Sequence, residues 1–155
     1  MQIDDHYWNV YAFNNIAGNL SNVDANSLEA QIKVVVEEVK ELEKAYADKD
    51  AVGLLDGVCD AFVTVVGLMQ KMQSAGFDVD KAIERVCINN LEKYPTQMLS
   101  SDLDKYYQKG WDVLYNNEYD CYALKDKNGK VRKPDGFVPV EISDLVPVNF
   151  FGGEA

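Results

Sequence analysis

Histidine is almost absent from this 155-residue chain, and cysteine occurs only three times. His6 stands alone and is read as incidental to any chemistry. Cys59, Cys87 and Cys121 are odd in number and widely spaced, which excludes a disulfide framework and a zinc ligand set and leaves them as reduced packing residues. Basic residues are also short, 15 against 26 acids, for a formal net charge of −11. Nonspecific nucleic-acid affinity comes from neutralising phosphates with Lys and Arg, so a general nucleic-acid binder is excluded, and so is an anionic membrane surface. The longest apolar run, residues 61–69, falls well short of the roughly 20 residues that cross a bilayer. The opening MQIDDHYW lacks the basic region and apolar stretch of a signal peptide. A cytoplasmic protein with neither nucleic-acid nor membrane partner is expected. Internal repeats and low-complexity segments are lacking too.

What is present is helical periodicity over most of the chain. A hydrophobic content of 47% supports one core, and the length predicts a single domain over residues 1–155. Helices are expected at 4–16, at 27–47 with Asn26 or Ser27 as N-cap, and at 51–72, where Gly76 ends the segment. A fourth should start at Asp78 or Asp80 and run to Lys93 before Pro95, and a fifth should cover 101–115. The period then changes. Residues 119–124 and 130–137 read as strands joined by the two-residue turn signal Asn128-Gly129. The expected fold is all-α, a four- to five-helix bundle over residues 4–116 with a small C-terminal β-hairpin and tail over 117–155.

Four acids stand out against this pattern. On the second helix Leu28, Ile32, Val35, Val39 and Leu42 form an apolar stripe, with Lys33, Lys40, Lys44 and Glu37 on the wet side. Glu38 and Glu41 flank the core face, where an unpaired carboxylate is costly to desolvate. The third helix is apolar almost all round and reads as a buried central element, yet it carries Asp56 and Asp60 one turn apart, with no Lys or Arg before Lys71. Gly53, Gly57 and Gly67 share that face at a cost of about 1 kcal/mol each relative to alanine, which implies a close approach by something, for which a hard cation with bound phosphate is a suitable guest. Four acids on two adjacent helices suggest a divalent-cation site. Two plainer readings stand beside this one: EEVKELEK as a solvated amphipathic helix, and the Asp pair bridged to Arg85 or Lys93. An acidic helical binding protein or DNA mimic is a third, but a mimic needs outward-facing charge.

The order Gln31, Glu37-Glu38-x-x-Glu41, Asp56-x-x-x-Asp60 and Asn89-Asn90-x-x-Lys93 resembles the all-α nucleoside triphosphate pyrophosphohydrolases, the group of MazG-like proteins, dimeric dUTPases and phosphoribosyl-ATP pyrophosphohydrolase. The segment Asn128-Gly129-Lys130-Val131-Arg132-Lys133-Pro134 looks most like the phage and bacterial MazG-like branch. Where the family pattern ExxE…ExxD expects an acid three residues before Asp60, this chain has Gly57, and the acid is Asp56. The resemblance implies hydrolysis of a nucleoside triphosphate to the monophosphate and pyrophosphate. A deoxynucleotide is favoured, dGTP or dATP first, with dUTP, dCTP or phosphoribosyl-ATP as alternatives. Mg²⁺, for which Mn²⁺ can substitute, would be held by Glu38, Glu41, Asp56 and Asp60, with Glu41 as general base and Glu38 beside it. Lys93, Asn90 and Asn89 would meet phosphates or sugar. A homodimer or homotetramer is also implied, onto which the tail Val148-Asn149-Phe150-Phe151 could dock.

Other substrate contacts are read from the residues alone. Trp8 and Asn15 are candidates for holding a base, although a ring on an amphipathic helix is more often core or oligomer contact. Five of the fifteen basic residues fall between 125 and 133, and of these Lys130, Arg132 and Lys133 are candidates for phosphate. The same patch also fits an exposed hairpin kept soluble by lysine, or a contact with acids of a neighbouring subunit.

Overall fold

The computed structural model describes residues 3–152 and is mostly α-helical. Its elements are α1 (Ile3–Ile16), α2 (Ala25–Ala47), α3 (Ala51–Ser74), α4 (Val79–Leu91), α5 (Ser100–Gln108), β1 (Asp112–Asn116) and β2 (Cys121–Lys125), followed by a single 3₁₀ turn, Ser143–Leu145. By their contacts the described residues divide into two compact units, residues 3–79 with 145–152, and residues 80–144.

In the first unit α2 and α3 form a helical hairpin. Asp24, not Asn26 or Ser27, is the N-cap of α2: its carboxylate accepts from the Ser27 backbone N–H at 2.8 Å while the Ser27 hydroxyl takes the Asp24 N–H at 2.9 Å, closing a capping box. Asp50 caps α3 by accepting from the N–H groups of Val52 and Gly53. The α3 glycines are explained by protein rather than by a guest. A Cβ on Gly57 would lie 3.1 Å from Leu42 Cα, so the glycine lets the two helix backbones close on each other. One on Gly67 would lie 3.2 Å from the Asn14 amide nitrogen and 3.4 Å from that of Gln31.

These two amides belong to a network joining α1, α2 and α3. Asn14 donates to Gln70 at 3.1 Å, Gln70 donates to the Tyr7 carbonyl at 3.1 Å, and Asn19 donates to Asn14. Gln31 reaches across to the Thr64 carbonyl at 3.1 Å. Asn14 and Gln70 are almost fully buried, so each bond spares a polar group that would otherwise be stranded away from water. The tail returns to this unit: the Asp78 N–H donates to the Leu145 carbonyl, and the Phe150 ring packs edge-on against Phe77 at 5.0 Å, leaving Val148 and Phe151 exposed.

The expectation that α3 is buried on all sides does not hold. Its most apolar 18-residue window has a mean hydropathy of 1.8 yet is only 17% buried. Val52, Leu55, Val58 and Val65 face outward, because α2 and α1 pack on the glycine side of the helix. By length and composition α3 could cross a membrane, a property hidden when only uninterrupted apolar runs are counted.

In the second unit α4 stops at Leu91, so Asn89 and Asn90 occupy its last turn and Lys93 lies beyond it, not on the helix. Pro95 explains the stop, since the residue before a proline is pushed out of the helical region. The fifth helix is also shorter than expected. Gly110 at φ 70° ends it, and residues 112–116 pair antiparallel with 121–125 instead of continuing a helix to 115. Their turn is held by Asn116, whose side-chain oxygen accepts from the N–H groups of Glu118 and Tyr119. The Asn128-Gly129 turn does form, around Asp126, whose carboxylate accepts from Asn128 and Lys130 N–H and from Arg132. It closes only one bridge, Lys125 to Val131, so the expected strand over 130–137 is absent; Pro134, lacking an N–H, cannot extend a ladder. Leu124 is fully buried, and Arg85 clasps Asp144 through both guanidinium nitrogens.

Candidate functional site

The α2–α3 hairpin sets the four acids opposite one another. The last half of α2 and the first half of α3 border a groove of about 340 Å³, lined by Glu41, Asp56 and Asp60 and, toward the link, by Asp48, Asp50 and Lys44. Gly57 also lines it, but position 57 is turned against the Leu42 backbone, so a longer side chain there would run into α2. Asp56, one residue earlier, is exposed and borders the groove. The close approach of the helices thus leaves room for an acid at position 56 and none at position 57.

Glu38 stands one turn before Glu41 and is half-buried. Its carboxyl is pushed above the ordinary range, first by loss of water and then by the negative charges of Asp60, Glu41, Glu37 and Asp56. Like charge is therefore concentrated here without a cation to balance it. Among the described residues none of the four acids makes an ion pair: Lys44 is bound to Asp48 at 2.8 Å, Arg85 to Asp144, and Lys93 donates to Asn90 at 2.5 Å. Among the described residues no three acids, histidines or cysteines converge tightly enough to make a preassembled metal cluster; the carboxylates are spread along the groove walls.

The other candidates are placed as follows. Trp8 is 61% exposed and stands edge-on to Tyr7 and Tyr11. Asn15 is exposed, whereas its neighbour Asn14 is the buried member of the amide network. Asn89, Asn90, Lys93, Lys130, Arg132 and Lys133 belong to the second unit and the four acids to the first. Asn89 donates to Glu92 and to the Val138 carbonyl. Arg132 is held by Asp126 at 2.5 Å, so its charge is already balanced. Lys133 lies over the Phe137 ring, and Lys130 has no side-chain partner. Sequence reasoning passed over Asp48, Asp50 and Lys44, although the Asp-Lys-Asp link between two helices was a signal that more charge gathers at that end.

No protein-family model, curated protein or solved structure matches this chain.

Proposed function

We propose that this chain is a divalent-metal-dependent nucleoside triphosphate pyrophosphohydrolase of the MazG-like all-α kind. The observation that carries the reading is the facing of Glu41, Asp56 and Asp60 across one groove, with Glu38 in electrostatic contact with them and the one basic side chain lining it, Lys44, engaged by Asp48. An all-oxygen carboxylate set suits a hard cation, Mg²⁺ with Mn²⁺ as substitute. Glu38, Glu41, Asp56 and Asp60 would hold it, and the raised proton affinity of Glu38 marks where a positive charge is most needed. When bound, the metal supplies charge neutralisation and polarisation of the phosphoryl group.

The remaining steps fall to the chain. A water attacks the α-phosphorus, its proton passes to the Glu41 carboxylate, the bond to the bridging oxygen breaks, and pyrophosphate leaves with that electron pair. A deoxynucleoside triphosphate is the substrate to test first, and the cytoplasm the expected place of action. The exposed apolar side of α3 supports a homodimer or homotetramer. A membrane-spanning role for α3 is disfavoured, since Asp56 and Asp60 would each cost about 2.5–3.5 kcal/mol at the bilayer centre.

The test is pyrophosphate release from a panel of the deoxynucleoside and ribonucleoside triphosphates, dUTP included, with Mg²⁺, beside Glu41→Gln. Release that disappears in the variant supports the assignment. No release from any substrate, together with no effect of Mg²⁺ on thermal stability, refutes it.

A further inference from the structure

The second unit contains a hollow of its own, about 590 Å³, built from the hairpin and the segment that follows α4. Its origin is the alternation of β2. Tyr122 and Leu124 point to one face, where Leu124 is fully buried, while Cys121, Ala123 and Lys125 point to the other. Two small side chains in succession leave that second face recessed. The Tyr122 N–H donates to the Pro95 carbonyl at 2.9 Å and so pins the segment that carries Tyr94 and Thr96 beside the strand. Leu91 and Tyr94 form one wall. Asn116, the cross-strand partner of Cys121, and Tyr119 of the turn stand at the far end.

The polar groups around this recess are unspent. Asn116 uses its side-chain oxygen on two backbone N–H groups, and its amide nitrogen has no partner among the described residues. Lys125 lines the recess without an ion pair, even though Asp112 sits opposite it across the ladder. Lys127 and Lys130, in the turn just beyond, also have no side-chain partner among the described residues, so this corner gathers cations in a chain whose net charge is −11. Tyr119 is 70% exposed. The volume lies within the range of small-molecule sites, which are mostly apolar with a few placed polar groups.

We propose that this recess binds a nucleoside monophosphate, with the ring against Tyr94 and Tyr119, the Asn116 amide on the ring edge and the phosphate at Lys125. Each part of the ligand answers one feature of the recess: a flat apolar surface, a free hydrogen-bond donor and an unbalanced cation. The site lies wholly within residues 80–144, and the inference does not rest on the hydrolysis reading.

The experiment is calorimetric titration of the full chain with AMP, adenosine and inorganic phosphate in EDTA, which keeps divalent cations from the acidic groove. It is run beside Lys125→Gln and Tyr119→Ala, with ¹⁵N NMR to locate the perturbed amides. AMP is expected to bind and to move the Asn116, Tyr119 and Lys125 signals. Lys125→Gln should weaken it about tenfold, to the level of adenosine, as for one charge-assisted hydrogen bond. Tyr119→Ala, an exposed position whose loss leaves the fold intact, should weaken both AMP and adenosine by at least about fivefold. Absence of AMP binding, binding that both folded variants retain unchanged, or shifts confined to residues 3–79 would overturn the proposal. Binding of inorganic phosphate as tight as that of AMP would overturn it too, by reducing the recess to an anion contact.

Discussion

Replacing Gly57 by alanine pits two opposed effects against each other, and the structure decides between them. In an exposed helix the change would stabilise by about 1 kcal/mol through helix propensity alone. Here the new methyl would sit 3.1 Å from Leu42 Cα, 3.2 Å from its Cβ and 3.4 Å from its Cδ1. The first of these is helix backbone, which cannot swing aside as a side-chain tip can, so α2 and α3 must part by a few tenths of an ångström. Overpacking of this kind costs about 1–3 kcal/mol. The net expectation is a loss of up to about 2 kcal/mol, or up to roughly 8 °C in melting temperature for a chain of this size. Gly57→Asp should lose more, because it adds a carboxylate to the same contact. Urea titration followed by circular dichroism reads both. An alanine variant that melts higher than the parent would refute the close approach and, with it, the lack of room for an acid at position 57.

Three further outcomes are expected. Glu38 holds its proton more tightly in the folded chain than unfolded, so stability should fall as pH rises from its ordinary value of 4.5 through the raised one; thermal melts in EDTA should show Glu38→Gln more stable than the parent at neutral pH yet less responsive to added Mg²⁺. For Asp126, burial raises the pKa, but the N–H groups of Lys130 and Asn128 and the Arg132 guanidinium outweigh it and hold the carboxyl below 3.8. Its contribution is therefore present above that value and lost as pH falls through the lowered one; Asp126→Asn should abolish this acid-side loss and shift the amide resonances of Asn128 and Lys130. Phe150→Ala removes the ring packed on Phe77 and, at a half-buried site, should cost about 1–2 kcal/mol by urea titration; an unchanged midpoint would mean the tail does not hold the first unit.

The mostly helical class and the existence of all five helices were legible from the chain, because apolar spacing and the breakers Gly76 and Pro95 are local signals. Two errors were non-local. Residues 101–115 contain tyrosines and a tryptophan at spacings a helix tolerates, and only the pairing of 112–116 with 121–125 reveals a strand. Asn128-Gly129 was rightly taken as a turn, but a turn signal does not say how far a ladder extends beyond it. In the groove, the inward lean of Glu38 and the shared face of Asp56 and Asp60 followed from helical geometry, whereas the meaning of Gly57 and Gly67 did not. A glycine announces that something comes near; that the visitors are Leu42, Asn14 and Gln31 is tertiary information. The exposure of α3 was hidden for the same reason, since its hydropathy describes the surface that wants cover and says nothing of whether one chain supplies it.

The amides of Asn14, Gln31 and Gln70 have a mechanical consequence. Apolar helices in contact can creep past one another at little cost, one set of methyl groups replacing the next. A helix tied through buried amides cannot, because a shift of one turn, 5.4 Å, would break every one of these bonds at once and leave Asn14 and Gln70 with no water to turn to. The network thus acts as a vernier, the Gln31 bond fixing the height of α3 against α2 and the Asn14–Gln70 bond its height against α1. The register between the two acid-bearing helices therefore rests on an uncharged amide, Gln31, rather than on the acids themselves.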